Sequence, residues 1–362
     1  MNLDELKNKL QSTVKGTHIE VLSDSKIASE RIYFPIPSYD LNRIISGSLF
    51  KGLPSKSLSL LVAPEASFKS SIMCLTAVNA QKQGYTPVII DTEGAWTADF
   101  VKRWGLDPDN ILYIYTPWID KVCTILGQII NDDEQDKMFI ILDSLGGLEK
   151  IKMIDDANSK DHKVKADQGT LQKEIKRMLK MLLNIVKGKD SIGMMAGHFF
   201  GNPNSYGGAD EIGGGKFAKL APDIIISQKK VPIYKDPKAA LKDRVVIGVE
   251  IKAMTLKNRY YPPFQEATIS IDYKNGIDPY AGLLNMAIDC NIIKVGGAWY
   301  TLPNGDKVQG AIKVREYFNE NPDDILQQLE KVLETTGYST MNEEMAEAAE
   351  LAEEKENDNG KK

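Results

Sequence analysis

The chain has 362 residues, 42% hydrophobic and 26% charged, with a formal net charge of −5 at pH 7. Such a composition speaks against a disordered chain and is enough for a full core with a smaller second domain. Three cysteines and three histidines, far apart and without ligand spacing, argue against a disulfide framework or a zinc site and fit a reducing cytoplasm.

Residues 3–14 read as a short amphipathic helix followed by a polar connector, which suggests an N-terminal polymerisation arm over 1–30. The charged start, MNLDELKNKL, lacks secretory-signal character, and no apolar run approaches the length of a bilayer span. A cytoplasmic protein without a membrane partner is expected. From residue 31 short apolar runs alternate with helix-length segments: LSLLVA at 58–63, VIID at 88–91, residues 111–115 and MFIILD at 138–143. That alternation is the pattern of an α/β core whose mostly parallel sheet is covered by helices on both faces. Further strands at 191–197, 223–227, 245–255 and 267–272 extend it, giving a core over 31–275. From about Gly276 the pattern changes to short helices with one hairpin-like stretch, WYTLPNGDKV, turned at Asn304-Gly305. A small α+β C-terminal domain over 276–335 is expected there. Residues 336–362 read as an acidic tail, because 341–362 hold eight acids against three lysines and few large apolar groups. Such a tail would either compete with nucleic acid for a basic surface or simply aid solubility.

The stretch VAPEASFKSS at 62–71 has the outline of a phosphate-binding loop without its glycines. In the ordinary pattern, G-x-x-x-x-G-K-[ST], main-chain N–H groups wrap the phosphates, the lysine reaches the outer oxygens and the hydroxyl binds magnesium. Here the pattern is A-x-x-x-x-F-K-S, between a strand (LSLLV) and a helix-forming segment (SIMCLTAVNAQKQ). The expected cradle is therefore Ala63, Pro64, Glu65, Ala66, Ser67, Phe68, Lys69, Ser70 and Ser71. Amides, Lys69 and Ser70 bind the anion; glycine only eases the backbone into place. A lysine and serine after a strand are more often a plain helix start, so other residues must carry weight. MFIILD delivers Asp143 to the sheet edge, from which a magnesium-bound water can be held beside Ser70. VIID leads into Thr92-Glu93, a second carboxylate on the same edge that could polarise an attacking water.

Several uncommon strings occur in one order: GLP at 52–54, PEASFKSS at 64–71, IDTEGAW at 90–96, ILDSLGGL at 141–148, FGNP at 200–203, LKNRYYPPF at 256–264 and GGAWY at 296–300. On these, the chain from about Gly16 to about residue 335 resembles the RecA-type recombinases, and among them the UvsX branch from tailed bacteriophages. That branch also carries Phe before the lysine. The resemblance implies a RecA-like P-loop ATPase core in which Lys69, Ser70 and Ser71 bind phosphate and magnesium, Asp143 supports the metal and Glu93 activates the water. It implies that Phe100 and Tyr273 flank the adenine of ATP, while Thr97 stands where bacterial members have an acid. His198 falls where relatives place a glutamine that senses the γ-phosphate. Lys257 and Arg259 match cations that reach into a neighbouring subunit's ATP, so hydrolysis would require assembly.

Residues 163–189 carry eight bases against two acids. Within them Lys173, Lys176, Lys180 and Lys187 share one helical face, with Arg177 adjoining, and Leu171, Ile175, Met178, Leu179 and Leu182 take the other. A stripe of this kind is usually only a solvated face. Two long segments adjoin it, 150–167 and 199–216, the second with six glycines and three aromatics. Loops so long inside a compact domain are usually functional or disordered. The resemblance implies DNA-binding loops at both positions, with Phe200 on an aromatic of the second; the candidate DNA contacts are Lys173, Lys176, Arg177, Lys180, Phe200, Gly201, Asn202 and Lys216. The reading is thus an ATP- and Mg2+-dependent recombinase, stimulated by DNA, that polymerises on single-stranded DNA, pairs it with double-stranded DNA and exchanges strands. A single-strand-binding protein and a loading mediator would be partners, in a bacterial host cytoplasm if the chain is phage-encoded. A ring-forming helicase motor of the same fold and a non-hydrolysing filament mediator are the alternatives.

Overall fold

The computed structural model describes residues 2–14, 19–25, 28, 30–132, 137–151, 168–200, 211–236, 238 and 241–335. Helix α1 (Leu3–Thr13) is closed at its start by a reciprocal cap between Asn2 and Glu5, and none of its residues is buried. A two-stranded ribbon of β1 (Tyr33–Phe34) and β2 (Leu53–Pro54) brackets α2 (Tyr39–Ser46). The alternating core follows: β3 (Leu58–Val62), α3 (Lys69–Lys82), β4 (Thr86–Asp91), α4 (Ala98–Arg103), β5 (Leu112–Tyr115), α5 (Ile119–Asn131), β6 (Met138–Asp143), α6 (Gln168–Gly188) and β7 (Ile192–Gly197). Short strands β8 (Phe199–Phe200) and β9 (Glu211–Ile212) and helix α7 (Lys216–Leu220) lead to β10 (Ile224–Tyr234), β11 (Val246–Asn258), β12 (Glu266–Asp272) and β13 (Gly276–Asp278).

The main sheet is nine-stranded, in the order β13-β12-β11-β10-β3-β7-β6-β4-β5. Neighbours from β10 to β5 are parallel, and β10 to β13 are antiparallel. Every position of β3, β6 and β7 is buried, so these strands need cover on both faces. Alternation distributes their side chains: Leu58, Leu60, Val62, Ile140 and Leu142 join one apolar cluster, while Leu61, Phe139 and Ile141 join the other. Ile72, Met73 and Ala77 of α3 pack with the second group; Val122 and Leu126 of α5 and Ile175, Met178, Leu179 and Leu182 of α6 pack with the first. The α/β fold expected from the sequence is therefore present. Because the core strands run the same way, Val62, Asp91, Asp143 and Gly197 all finish at one edge. That edge carries the site.

A third cluster, from Leu49, Leu283, Ile293, Leu302, Val314, Phe318 and Leu329, holds the C-terminal part together. It is built from α8 (Leu283–Asp289), the antiparallel strands β14 (Lys294–Gly296), β15 (Trp299–Thr301) and β16 (Lys307–Gln309), α9 (Ala311–Glu320) and a helix over 322–335. The hairpin expected in WYTLPNGDKV is β15–β16.

Two features differ from the sequence reading. Strand β10 does not stop at 227 but runs to Tyr234; Lys229, Lys230 and Val231 are exposed, so no apolar period marks this half. The second glycine-rich segment is not open at its base, where Phe199 pairs with Ile212 and Phe200 with Glu211. The expectations placed on 152–167, on Gly201 and Asn202 within 201–210, and on the acidic tail lie outside the described residues. Among the described residues no helix is long and apolar enough to cross a membrane.

Candidate nucleotide site

The loop after β3 answers how the chain manages without glycine. Phe68 adopts φ +60° and ψ +21°, and Ala66 φ +52°, both in the left-handed region that glycine enters freely. Each side-chain-bearing residue there costs about 1–2 kcal/mol. The backbone keeps the conformation glycine would favour, and surrounding contacts hold it. Lys69 Nζ donates to the carbonyls of Ala63 (3.2 Å) and Pro64 (3.0 Å). From the neighbouring strand, Lys230 Nζ donates to Glu65 and Ala66, each at 3.1 Å. Two ammonium groups thus stitch four successive carbonyls. Lys69 is 7% exposed, and burial pushes its pKa down against the pull of Asp143, Glu93 and Glu65. Beyond the loop, the first turn of α3 supplies N–H groups without intrahelical acceptors.

The carboxylates are set by the sheet register, which puts Asp91 of β4 directly beside Asp143 of β6. Ser70 Oγ donates to Asp143 Oδ2 at 2.5 Å, and Trp96 Nε1 donates to the same oxygen at 2.9 Å. Burial raises the Asp143 pKa, and these two donors oppose the rise. Asp91 is fully buried and organises the turn that carries Glu93: it accepts from the amides of Glu93 (3.0 Å), Gly94 (2.8 Å) and Trp96 (3.0 Å) and from the Tyr113 hydroxyl (3.0 Å). Glu93 Oε1 accepts from Ser144 Oγ and lies 3.8 Å from His198 Nε2. Ser144 is tied back in turn, its amide donating to Thr92 Oγ1 at 2.8 Å and its carbonyl accepting from that hydroxyl at 3.0 Å. A Cβ on Gly147 would overlap the Thr92 hydroxyl, so this position tolerates only glycine at its present spacing.

One cavity of about 920 Å3 gathers these groups, a size suited to a nucleotide. Its polar lining includes Glu65, Ser67, Lys69, Ser70, Ser71, Glu93, Asp143, His198 and Lys230; its apolar lining includes Ala66, Phe68, Phe100, Pro232, Val246, Val249 and Tyr273. Ala63 and Pro64 take part through the carbonyls that hold Lys69. Thr97 does not line it; its side chain accepts from Phe100 N at 3.1 Å and caps α4. Asp91, Thr92, Ser144 and Lys230 were not foreseen. Asp91 could have been suspected from the D-T-E-G turn, whereas Lys230 has no local signal.

A family profile described as the RecA N-terminal domain matches residues 30–278. The chain belongs to the RecA family. It is 27% identical over 287 residues to the protein named RecA of Saccharopolyspora erythraea, covering 77% of each chain. It is also 25% identical over 304 residues to the RecA protein of Nocardioides sp. (82% of this chain and 81% of that one) and 26% identical over 301 residues to that of Streptomyces avermitilis (81% and 74%).

In this RecA-family chain the remaining candidate residues lie away from the cavity. Lys257 Nζ donates to the carbonyls of Leu220 (2.8 Å) and Lys219 (3.4 Å) at the end of α7, and burial and Arg259 lower its pKa. Arg259 lies 3.4 Å from Asp223, a fully buried carboxylate that also pairs with Lys187 at 3.1 Å and accepts from the Leu58 amide. Neither cation reaches its own chain's cavity. Lys187, read from the sequence as part of the basic stripe, is drawn into this pairing instead. Lys173, Lys176, Arg177 and Lys180 do come together, lining a groove of about 430 Å3 with Ile130, Met181 and Asn184. Lys176 also sits over the Phe217 ring of α7 at 5.7 Å, and exposed Lys216 begins that helix. Of Phe200, only the strand position is described.

Proposed function

We propose that this chain is an ATP-dependent DNA recombinase of the RecA family's UvsX branch, which polymerises on single-stranded DNA and catalyses homologous pairing and strand exchange. The observation that carries the reading is the convergence of Lys69, Ser70, Asp143 and Glu93 in one cavity at the start of α3. Magnesium at such sites takes one or two protein oxygens together with phosphate, and a serine hydroxyl bonded to a buried carboxylate is that donor set. The bound ion would neutralise charge on the phosphates. Lys69 would exchange its loop carbonyls for phosphate oxygens, and Ser70 would offer its hydroxyl to the ion with Asp143 behind it. Glu93, held by Ser144, would take the proton of an attacking water. His198, on the other side of Glu93, would respond to the γ-phosphate.

Assembly is the second half of the proposal. Leu3, Leu6, Leu10 and Val14 of the arm are exposed, as are Leu112, Tyr113 and Tyr115 on edge strand β5. Both are surfaces that a second copy would cover, and a head-to-tail contact of this kind propagates as a helix. Lys257 and Arg259 would then serve a neighbour's ATP. The groove of α6, with the flanking segments, would track DNA phosphates. A single-strand-binding protein and a loading mediator would be partners in the cytoplasm of a phage-infected bacterium. The test is ATP turnover with and without single-stranded DNA, paired with electron microscopy in a non-hydrolysable analogue. Stimulated turnover and DNA-dependent helical filaments are expected; rings, or filaments without turnover, would sink the reading.

A further inference from the structure

Ala66 holds a left-handed backbone, φ +52°, yet it is exposed, so core packing does little to fix it. Phe68, the other left-handed residue of the loop, is secured differently: its carbonyl accepts the Ile72 amide at 3.0 Å and its side chain packs against the first core. The contact that addresses Ala66 comes from outside the loop. Lys230 Nζ donates to the carbonyl of Glu65 and to that of Ala66, each at 3.1 Å. These carbonyls belong to the two peptide planes that meet at the Ala66 Cα, and holding both planes holds the two soft torsions between them. One ammonium thus clamps a single residue in a conformation that its Cβ disfavours. Ser67 Oγ adds a longer contact to the Glu65 carbonyl, at 3.4 Å.

The strand that carries Lys230 gives it a firm base. Pairing of β10 with β3 ends at Ser227, opposite Val62, and β10 then runs on to Tyr234 paired with β11. Alternation puts Lys230 on the same face as Ile224 and Ile226, which join the cluster under α3. Its neighbour across the ladder, Ile251, is fully buried. The stem therefore rises from fixed backbone beside the loop, and only its head has freedom to move. Lys69 cannot take over this task in the reading above, where it exchanges the Ala63 and Pro64 carbonyls for phosphate oxygens. Lys230 bonds a different pair, which that exchange leaves in place.

We propose that Lys230 is a positioning residue for the phosphate loop: it pins Ala66 in the left-handed conformation and so supplies, from the neighbouring strand, what a glycine at that position would achieve unaided. It acts on the main chain of the loop, not on the phosphates. The inference rests on the nucleotide reading above, and it makes Lys230 necessary only while residue 66 carries a side chain.

The experiment is a double-mutant cycle read by calorimetry with magnesium-ATP on the full-length chain, comparing wild type, K230M, A66G and A66G/K230M. K230M keeps an unbranched stem and removes the donors. With alanine at 66 it should weaken binding about five- to tenfold. With glycine at 66 the same substitution should cost less than about twofold, because glycine enters the left-handed region without help. An equal or larger penalty with glycine at 66 would make Lys230 a phosphate contact or a long-range charge, and no penalty with alanine at 66 would make it an idle surface lysine; either overturns the clamp. Both of those results leave wild-type binding of magnesium-ATP intact. Wild-type protein that binds no magnesium-ATP would overturn the nucleotide reading itself and the clamp's role with it.

Discussion

The edge that carries Glu93 and Asp143 and the strand end that carries Lys257 and Arg259 are both charged, yet they are held in opposite ways. At the first, Asp91, Asp143, Thr92 and Ser144 are buried and bonded to one another's neighbours, and Trp96 and Ser70 close on a single carboxylate oxygen. At the second, Lys257 leans on two carbonyls at the end of α7, and half-exposed Arg259 stands 3.4 Å from Asp223. The Asp223 carboxylate is buried, but more than half of the Arg259 side chain faces solvent, so the guanidinium is held from one side only. The difference teaches that one half of the proposed reaction is complete in a single chain, whereas the other half is parked where a neighbouring molecule could recruit it.

Breaking the first half should have the largest effect. E93Q preserves shape but cannot accept a proton, and ATP turnover should fall about 10²–10⁴-fold with ATP binding retained, as read by turnover and calorimetry on the same preparation. Parallel loss of binding would mean that Glu93 shapes the cavity rather than the chemistry. Breaking the second half should separate binding from assembly. K257A should leave ATP binding within a factor of two and remove the DNA-stimulated part of turnover, a drop of about 100-fold, the loss that removal of one charge-stabilising donor brings. Unchanged stimulation would refute the role in a neighbour's site.

A smaller effect is expected in the arm. L6D/L10D places charges on the uncovered face of α1, and filament formation on single-stranded DNA should need about tenfold more protein by light scattering while the melting temperature stays put. If the melting temperature falls instead, α1 packs on its own chain. The least effect, and one of opposite sign, belongs to Gln228. It is fully buried in β10, two residues before Lys230, and neither amide atom has a hydrogen-bond partner among the described residues. Q228L should stabilise the chain by about 1–2 kcal/mol in urea unfolding. A stability gain accompanied by lost ATP affinity would add Gln228 to the phosphate-loop support.

The sequence made the first half legible because its parts are local. Lys69-Ser70 follow a strand that is apolar throughout, and Asp143 and Glu93 end or follow other such strands, so sheet topology alone brings them to one edge. What stayed hidden depends on three-dimensional neighbours. Lys230 lies far along the chain on the exposed half of β10, where no apolar alternation announces a strand. Asp91 reads as one more strand terminus, since its work is to receive three amides from a turn whose path is set by folding. Lys187 has the spacing of the basic stripe, but a buried carboxylate 36 positions away captures it. Residue spacing likewise does not reveal that Phe100 stands edge-on to Trp96 while the Tyr273 ring faces that of Phe68.

The two lysines stitched across the phosphate loop give its affinity an unusual reference point. Lys69 is not waiting in water; it is already solvated by the carbonyl dipoles of Ala63 and Pro64. An incoming anion must outbid those dipoles, so the energy released is the difference between two well-formed coordination shells rather than the whole of one. If phosphate binds there as proposed, its departure would leave the ammonium a ready berth to fall back into, and the loop would reset without passing through a bare buried charge.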